Sequence, residues 1–374
     1  MKILYDYQIF YDQEYGGPSR YFFNLAKKLI KKEDLKICAP IHINNYLNYL
    51  PKKNVYGVKI NNSLAKKIPF KIKTPFNKYF IETLNKILTN HFIKNYKPDI
   101  IHQTFFNSLK KIDTATVLTI HDLIHEKFHA EYNRDSNYKP KQKAIENADQ
   151  IICVSKSTYI DLIKYYDVSK KKIKVIYHGY DFNFSDKYFS EKKSIEINKS
   201  YLLYVGKRKG YKNFVSFLKT YSLSNKLKKD FNIVCFGGGP LQKDEIKLID
   251  NLNIKQNIFQ IFGDDEKLSF LYKNARALIY PSKYEGFGLP VLEAMASNCP
   301  VICSNSSSLP EVGGDSVQYF DPYNQDEMND VINTTIYSDT KLEELKKRGV
   351  LQSKLFSWDK CSSETLNTYK DLLC

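Results

Sequence analysis

Pro281-Ser282-Lys283-Tyr284-Glu285-Gly286-Phe287-Gly288-Leu289-Pro290-Val291-Leu292-Glu293-Ala294-Met295-Ala296 follows directly on the apolar run Ala277-Leu278-Ile279-Tyr280. The order reads as strand, glycine-bearing loop, helix. Pro290 suits the first turn of a helix, where a backbone N–H has no partner to lose. Gly286 and Gly288 let backbone N–H groups approach a ligand closely, and a helix N-terminus favours an anion. The stretch therefore predicts a parallel α/β unit whose ligand lies beyond the carboxyl ends of its strands. Glu285 falls in the loop and Glu293 in the opening turns of the helix, so one element can offer two carboxylates to one ligand. Two isolated glutamates would read as a solvated loop acid and a partner for the helix dipole. The glycines and proline around them shift the reading to a site.

The same rhythm extends in both directions. Apolar runs recur at Ile100–His102, Val117–Asp122, Ile151–Ser155, Ile173–Gly179, Tyr201–Gly206, Ile233–Gly237, Ile258–Gly263 and Val301–Ser304. Such short runs read as buried parallel strands. Helical patterns lie between them, at Tyr21–Ile30, Ser157–Tyr166 and Glu266–Ala275. Alternating strand and helix predict an α/β class with helices on both faces of the sheets. A chain of 374 residues is long for one core. The polar stretch Asp181–Ser200 reads as a linker, so residues 1–178 and 179–356 are expected to form two domains. The end of the chain, 357–374, reads as a helix that packs back on the first domain, with Trp358 as its anchor.

Hydrophobic residues make up 43% and charged residues 26%, which excludes a disordered or fibrous chain. The formal charge is +16, yet only five of the 57 basic residues are arginines. The excess predicts attraction to anions, whether phosphorylated ligands, anionic lipid or nucleic acid. Aromatic and basic residues are not interleaved as in a nucleic-acid module, which disfavours the last of these. Leu64–Lys97 holds eight lysines and one acid among apolar residues. It reads either as a surface for anionic lipid or as ordinary helices with a solvated basic face. The seven cysteines are scattered and form no C-x-x-C pair, as expected for reduced thiols in the cytoplasm. No apolar run is long enough to span a membrane, and the start of the chain does not read as a signal peptide. Without an Asp-x-Asp pair or a clustered cysteine/histidine set, no metal and no cofactor are expected. No G-x-G-x-x-G follows an early strand and no P-loop is present, which disfavours a dehydrogenase and an ATPase.

The string from Glu285 to Glu293 matches the E-x7-E element of the retaining, nucleotide-sugar-dependent glycosyltransferases of family 4. Other landmarks of that family are similar and in order: Gly16-Gly17-Pro18-Ser19-Arg20-Tyr21, Thr119-Ile120-His121-Asp122-Leu123, Ala148–Ser155 and Tyr204-Val205-Gly206-Lys207-Arg208-Lys209-Gly210-Tyr211-Lys212-Asn213. The chain thus resembles bacterial surface-polysaccharide mannosyl- and rhamnosyltransferases. The resemblance implies the GT-B fold, two Rossmann-like domains facing across a cleft. It implies a donor site formed by Gly16, Gly17, Arg20, Gly206, Lys207, Arg208, Lys212, Gly263, Glu285, Gly286, Phe287, Gly288, Leu289 and Glu293. Within it Glu285 would orient the sugar, Glu293 would hold the ribose, and His121 would contact the transferred sugar. Lys212 and one of Lys207 or Arg208 would grip the diphosphate. Cations aimed at a departing diphosphate stabilise the transition state more than the ground state. The partners implied are a nucleotide sugar, with GDP-mannose first and a UDP-sugar next, and a glycan or lipid-linked glycan acceptor at the cytoplasmic face of the membrane. The resemblance also implies a front-side path, in which the leaving phosphate helps deprotonate the acceptor, in place of a double displacement. A sugar phosphorylase or hydrolase on the same fold stays open as the alternative.

Overall fold

The computed structural model describes residues 1–60, 75–106, 113–129, 138–169, 172–180 and 199–374. Its internal contacts divide the chain into two units. The first comprises Met1–Val154, Thr158–Gly179 and Trp358–Cys374; the second comprises Ser155–Ser157 and Tyr180–Ser357. Most of the predicted linker, and the part of Leu64–Lys97 before Pro75, lie outside the described residues.

The first unit is built on seven parallel strands: β1 (Lys2–Tyr5), β2 (Asp34–His42), β3 (Val55–Lys59), β4 (Ile100–Gln103), β5 (Ala115–Ile120), β6 (Gln150–Cys153) and β7 (Ile173–Val175). They lie in the order β3-β2-β1-β4-β5-β6-β7. The order reverses between β1 and β4, which makes the crevice beyond these two strands the natural ligand position. Asp6, the residue after β1, reaches across it. Its carboxylate accepts from the backbone N–H groups of Gln8 and Thr104, at 3.2 Å each, and from the Thr104 hydroxyl.

The helix Gly17–Leu29 covers one face, burying Tyr21, Phe22, Leu25, Ala26 and Leu29 at helical spacing. The helix Trp358–Asp371 packs beside it and adds Trp358, Cys361, Leu366 and Tyr369 to the same core. The last residues of the chain therefore complete the core of the first unit.

The second unit holds six parallel strands: β8 (Ser200–Val205), β9 (Phe231–Phe236), β10 (Ile258–Ile261), β11 (Ala277–Tyr280), β12 (Val301–Ser304) and β13 (Gln318–Phe320). Their order is β10-β9-β8-β11-β12-β13, with the reversal between β8 and β11. These central strands are buried on both faces, which is why they are continuous apolar runs without polar alternation. Two parallel sheets with helices packed on them are the expected α/β class.

Candidate active site

In the second unit the reversal point carries the predicted chemistry. β8 ends at Gly206, whose φ of +112° favours glycine. The chain then turns through Lys207–Lys209 into a single helical turn, Gly210–Lys212. The Tyr204 hydroxyl shapes this loop by donating to the Lys207 carbonyl at 2.7 Å. β11 runs into the loop Pro281–Gly288 and the helix Leu289–Ala296. Lys283 N–H donates to the Tyr211 carbonyl at 2.7 Å and stitches the two loops together. Lys212 Nζ donates to Glu285 Oε1 at 2.7 Å and to the Tyr280 hydroxyl at 3.3 Å. The two charged side chains are only 14% and 10% exposed. Burial, with Glu285 next, holds the Tyr280 phenol well above its usual value, so it stays neutral.

Glu285 is held from both sides of its backbone. Its N–H donates to Ser307 Oγ at 2.8 Å, and its carbonyl accepts from Ser308 Oγ at 2.9 Å. Ser307 has a φ of +53°, a left-handed conformation that a serine adopts only under constraint. Gly288 begins the following helix at φ +100°, and a Cβ there would lie 2.6 Å from Leu309 Cδ2. Glu293 is buried within that helix, where its Oε2 accepts from the Tyr272 hydroxyl at 3.2 Å.

The first unit gathers histidines at its own strand ends. His102 is fully buried and hydrogen-bonded through Nδ1 to the Tyr369 hydroxyl at 2.6 Å and through Nε2 to Thr119 Oγ1 at 2.8 Å. His121 packs edge-on against Tyr21 at 5.1 Å and lies 5.7 Å from the His178 ring. Its buried Nε2 finds no hydrogen-bond partner among the described residues. Burial pushes His102 and His121 down to about 3, and holds His178 well below its usual value. All three rings are therefore neutral at physiological pH. Gly16 precedes the Gly17–Leu29 helix. A Cβ there would lie 2.2 Å from Gln13 Oε1, the atom that accepts from the Ser19 N–H at 3.2 Å and caps the helix. A Cβ at Gly17 would meet nothing within 4 Å, and Arg20 is half-buried in the helix's first turn.

Two family profiles tile most of this sequence. Glycosyltransferase Family 4 matches residues 15–184, and Glycosyl transferases group 1 matches residues 186–351. The chain belongs to the family 4 glycosyltransferases. It is 27% identical to O-antigen chain mannosyltransferase B of Escherichia coli over 370 residues, covering 95% of this chain and 96% of that one. Among solved structures, Anabaena Alr3699/HepE in complex with UDP-glucose aligns with a TM-score of 0.75 at 16% identity, covering 99% of this chain and 100% of that one. WaaG, a glycosyltransferase involved in lipopolysaccharide biosynthesis, aligns with a TM-score of 0.73 at 16% identity, covering 99% of each chain. The fold is GT-B, with two Rossmann-like domains.

The structure brings part of the expected glycosyltransferase site together. Gly206, Lys212, Glu285, Gly286, Gly288, Leu289 and Glu293 share the region around the β8–β11 reversal. Phe287 is buried with its ring edge-on to Phe356 at 5.8 Å, so its side chain is a packing group. Gly263 follows β10 at the edge of the sheet, with β9 between it and β8. Arg208 is redirected. Expected at the diphosphate, it lies inward and 4% exposed, ion-paired with Glu245 at 2.9 Å, while Lys207 beside it is exposed.

Sequence reasoning overlooked Ser307 and Ser308, because three serines before a helix signal only a turn. It also passed over His125-Glu126-Lys127-Phe128-His129, which has the spacing of a zinc-binding helix. The helix here covers only Ile124–Lys127, so it does not continue to His129. Glu126 is held by Lys141 Nζ at 2.8 Å and by the Tyr166 hydroxyl at 2.5 Å. No cluster of three metal-ligating side chains occurs among the described residues.

The neutral histidines set a pH dependence. Below pH 6.5 the unfolded chain protonates them while the folded chain does not, so stability falls as pH drops from 6.5 towards 3. Asp6 works in the opposite sense: burial raises its carboxyl to about 6, so its protonation favours the folded state. His42, lowered to about 4 by burial, joins the three histidines, and Asp122, raised by burial, joins Asp6. The histidines outnumber the carboxyls, so stability should fall as pH drops from about 7.5 to about 5.5. Urea unfolding at the two pH values measures it. An unchanged midpoint would mean that the rings are charged or hydrated in the folded protein.

Proposed function

We propose that this glycosyltransferase moves a hexose from a nucleotide-diphosphate sugar to a hydroxyl of a surface glycan, with retention at the anomeric carbon and without a metal ion. GDP-mannose is the first donor to test, because the full-length relative from Escherichia coli is named a mannosyltransferase. A UDP-sugar is next. The observation that carries the reading is the Lys212–Glu285 pair, a cation and a carboxylate 2.7 Å apart on the two loops flanking the strand-order reversal. In the proposed cycle Lys212 turns from Glu285 to the diphosphate, and Glu285 then takes up hydroxyls of the sugar. Lys207 and the amino end of the Leu289–Ala296 helix supply further positive potential. We assign Gly16, Gly17, Arg20 and His121 to the transferred sugar and the acceptor. A neutral His121 can accept a hydrogen bond from a hydroxyl without adding a second positive charge.

Turnover of a panel of GDP-, UDP-, ADP- and dTDP-sugars, with and without a lipid-linked or free glycan acceptor, tests the reading. Acceptor-dependent release of the nucleoside diphosphate supports it. Release at the same rate without acceptor would make the protein a hydrolase. Glu293→Ala should weaken donor binding about tenfold through the ribose while leaving kcat within a few-fold, read from initial rates. An unchanged donor KM would remove Glu293 from the site.

A lipid-linked acceptor would reach the enzyme at an anionic membrane surface. Among the described residues no helix is long and apolar enough to cross a membrane. The helix Pro75–Tyr96 buries Asn85, Thr89 and Ile93 and exposes Tyr79, Phe80, Lys86, Ile87 and Lys94. Its exposed residues have the mixed apolar and basic chemistry of an interfacial contact. Salt-sensitive flotation with anionic vesicles, absent with neutral ones, is the expected outcome.

A further inference from the structure

We infer that Arg208 is a positioning residue, which braces the two loops beyond β8 and β9, and that Lys207 beside it is the cation offered to the donor's phosphates. The inference rests on the donor reading above and reassigns one of its residues. The guanidinium is turned onto Glu245 and the glycine loop. Nε donates to Glu245 Oε1 at 2.9 Å, and Nη2 lies 3.3 Å from Glu245 Oε2. Nη1 donates to the Gly237 carbonyl at 3.0 Å, and Nη2 to the carbonyls of Gly239 and Pro240 at 2.9 and 3.0 Å. Three carbonyls of one loop thus turn onto one planar cation, the geometry a guanidinium fork allows and an ammonium does not.

The glycines complete the arrangement. Gly237, Gly238 and Gly239 all have φ between +72° and +76°. A Cβ on Gly238 would lie 2.4 Å from the Gly206 carbonyl oxygen and 2.9 Å from Arg208 Nη1. The two loops therefore touch backbone to backbone, with the guanidinium packed between them. Glu245 has a second partner: Gln242 N–H donates to it at 2.6 Å, at the start of the Lys243–Asn251 helix. One ion pair joins the β8 loop, the glycine loop and a helix N-terminus. Arg208 and Glu245 are 4% and 6% exposed and their charges cancel. Moving Arg208 onto a phosphate would leave the buried Glu245 carboxylate without its cation. Lys207 is exposed, with no hydrogen bond or ion pair from its side chain among the described residues.

Calorimetric binding of GDP, GMP, UDP and UMP to the full chain tests this. The ratio of diphosphate to monophosphate affinity reports the cation that reaches the second phosphate. Lys207→Ala should lower that ratio roughly tenfold. Arg208→Gln and Glu245→Gln should each weaken monophosphate and diphosphate in parallel, leaving the ratio at its wild-type value. Arg208→Met/Glu245→Met removes both charges together, leaves neither stranded, and should also keep the wild-type ratio if the single variants fail to fold. A ratio that collapses in either Arg208 variant and holds in Lys207→Ala would overturn the proposal. So would wild-type affinity for both nucleotides in Arg208→Gln. Wild-type protein that binds none of the four nucleotides would instead remove the donor reading itself, and this assignment with it.

Discussion

Lys212→Ala is expected to lower kcat by roughly 10²–10³-fold and to weaken binding of the nucleoside diphosphate as well. The rate loss has the size found when one preorganised donor to a developing oxyanion is deleted. Charge on the diphosphate grows as the glycosidic bond breaks, so a cation aimed there acts more strongly on the transition state than on the bound donor. The variant has a second consequence. Lys212 and Glu285 are both largely buried, so the truncation leaves a carboxylate with little solvent and no cation. Breaking such a pair costs about 2–3 kcal/mol here, allowing for partial exposure. The melting temperature should therefore fall, and Lys212→Arg, which keeps the charge, should recover most of it. Single-turnover rates with saturating donor separate the two effects. A wild-type rate in folded Lys212→Ala would remove the lysine from the chemistry.

Much of this was legible from local pattern. Fully buried parallel strands must be apolar throughout, and β8, β9, β11 and β12 announce themselves for that reason. β3 does not, because it is a largely exposed edge strand. Its Gly57 sits at φ +144° where a Cβ would strike the Ala39 carbonyl oxygen at 1.7 Å, a close approach that no pattern of hydrophobicity records. β1, β2 and β13 fall outside the runs the pattern reveals: β1 opens on Lys2, β13 on Gln318, and β2 carries Asp34, Lys36, Pro40 and His42 among its apolar residues. Glu285 and Glu293 could be found because glycine and proline mark the strand-to-helix turn around them. The fate of Arg208 could not, since its partner lies 37 residues on and a capping box at Gln242 and Glu245 signals only a helix start. Nor could the histidine cluster. His102, His121 and His178 stand on separate strand ends, and the tyrosine that holds His102 comes from the last helix of the chain.

Glu285→Gln should separate catalysis from binding more cleanly than any other change. The glutamine keeps the volume of the side chain, and the backbone bonds to Ser307 and Ser308 do not depend on the carboxylate. The loop should therefore keep its shape. What is lost is the negative charge that pairs with Lys212 and, in the proposed cycle, orients the sugar. Turnover should fall about 10³-fold, the scale of losing one preorganised electrostatic contact together with the alignment it gives. Affinity for the nucleoside diphosphate should not fall with it. Lys212 donates to Glu285, and in the proposed cycle the phosphate must compete for that lysine. Removing the competitor makes diphosphate binding equal to wild type or a few-fold tighter, while the monophosphate, which lacks the second phosphate, is unaffected. A glutamate acting as an attacking nucleophile would predict the same rate loss but also a covalent glycosyl-enzyme in the wild type, visible as a mass increase of one hexose after quenching. Wild-type kcat in Glu285→Gln would discard its role altogether. Weaker diphosphate binding would mean that the carboxylate sets the position of Lys212 and does not compete for it.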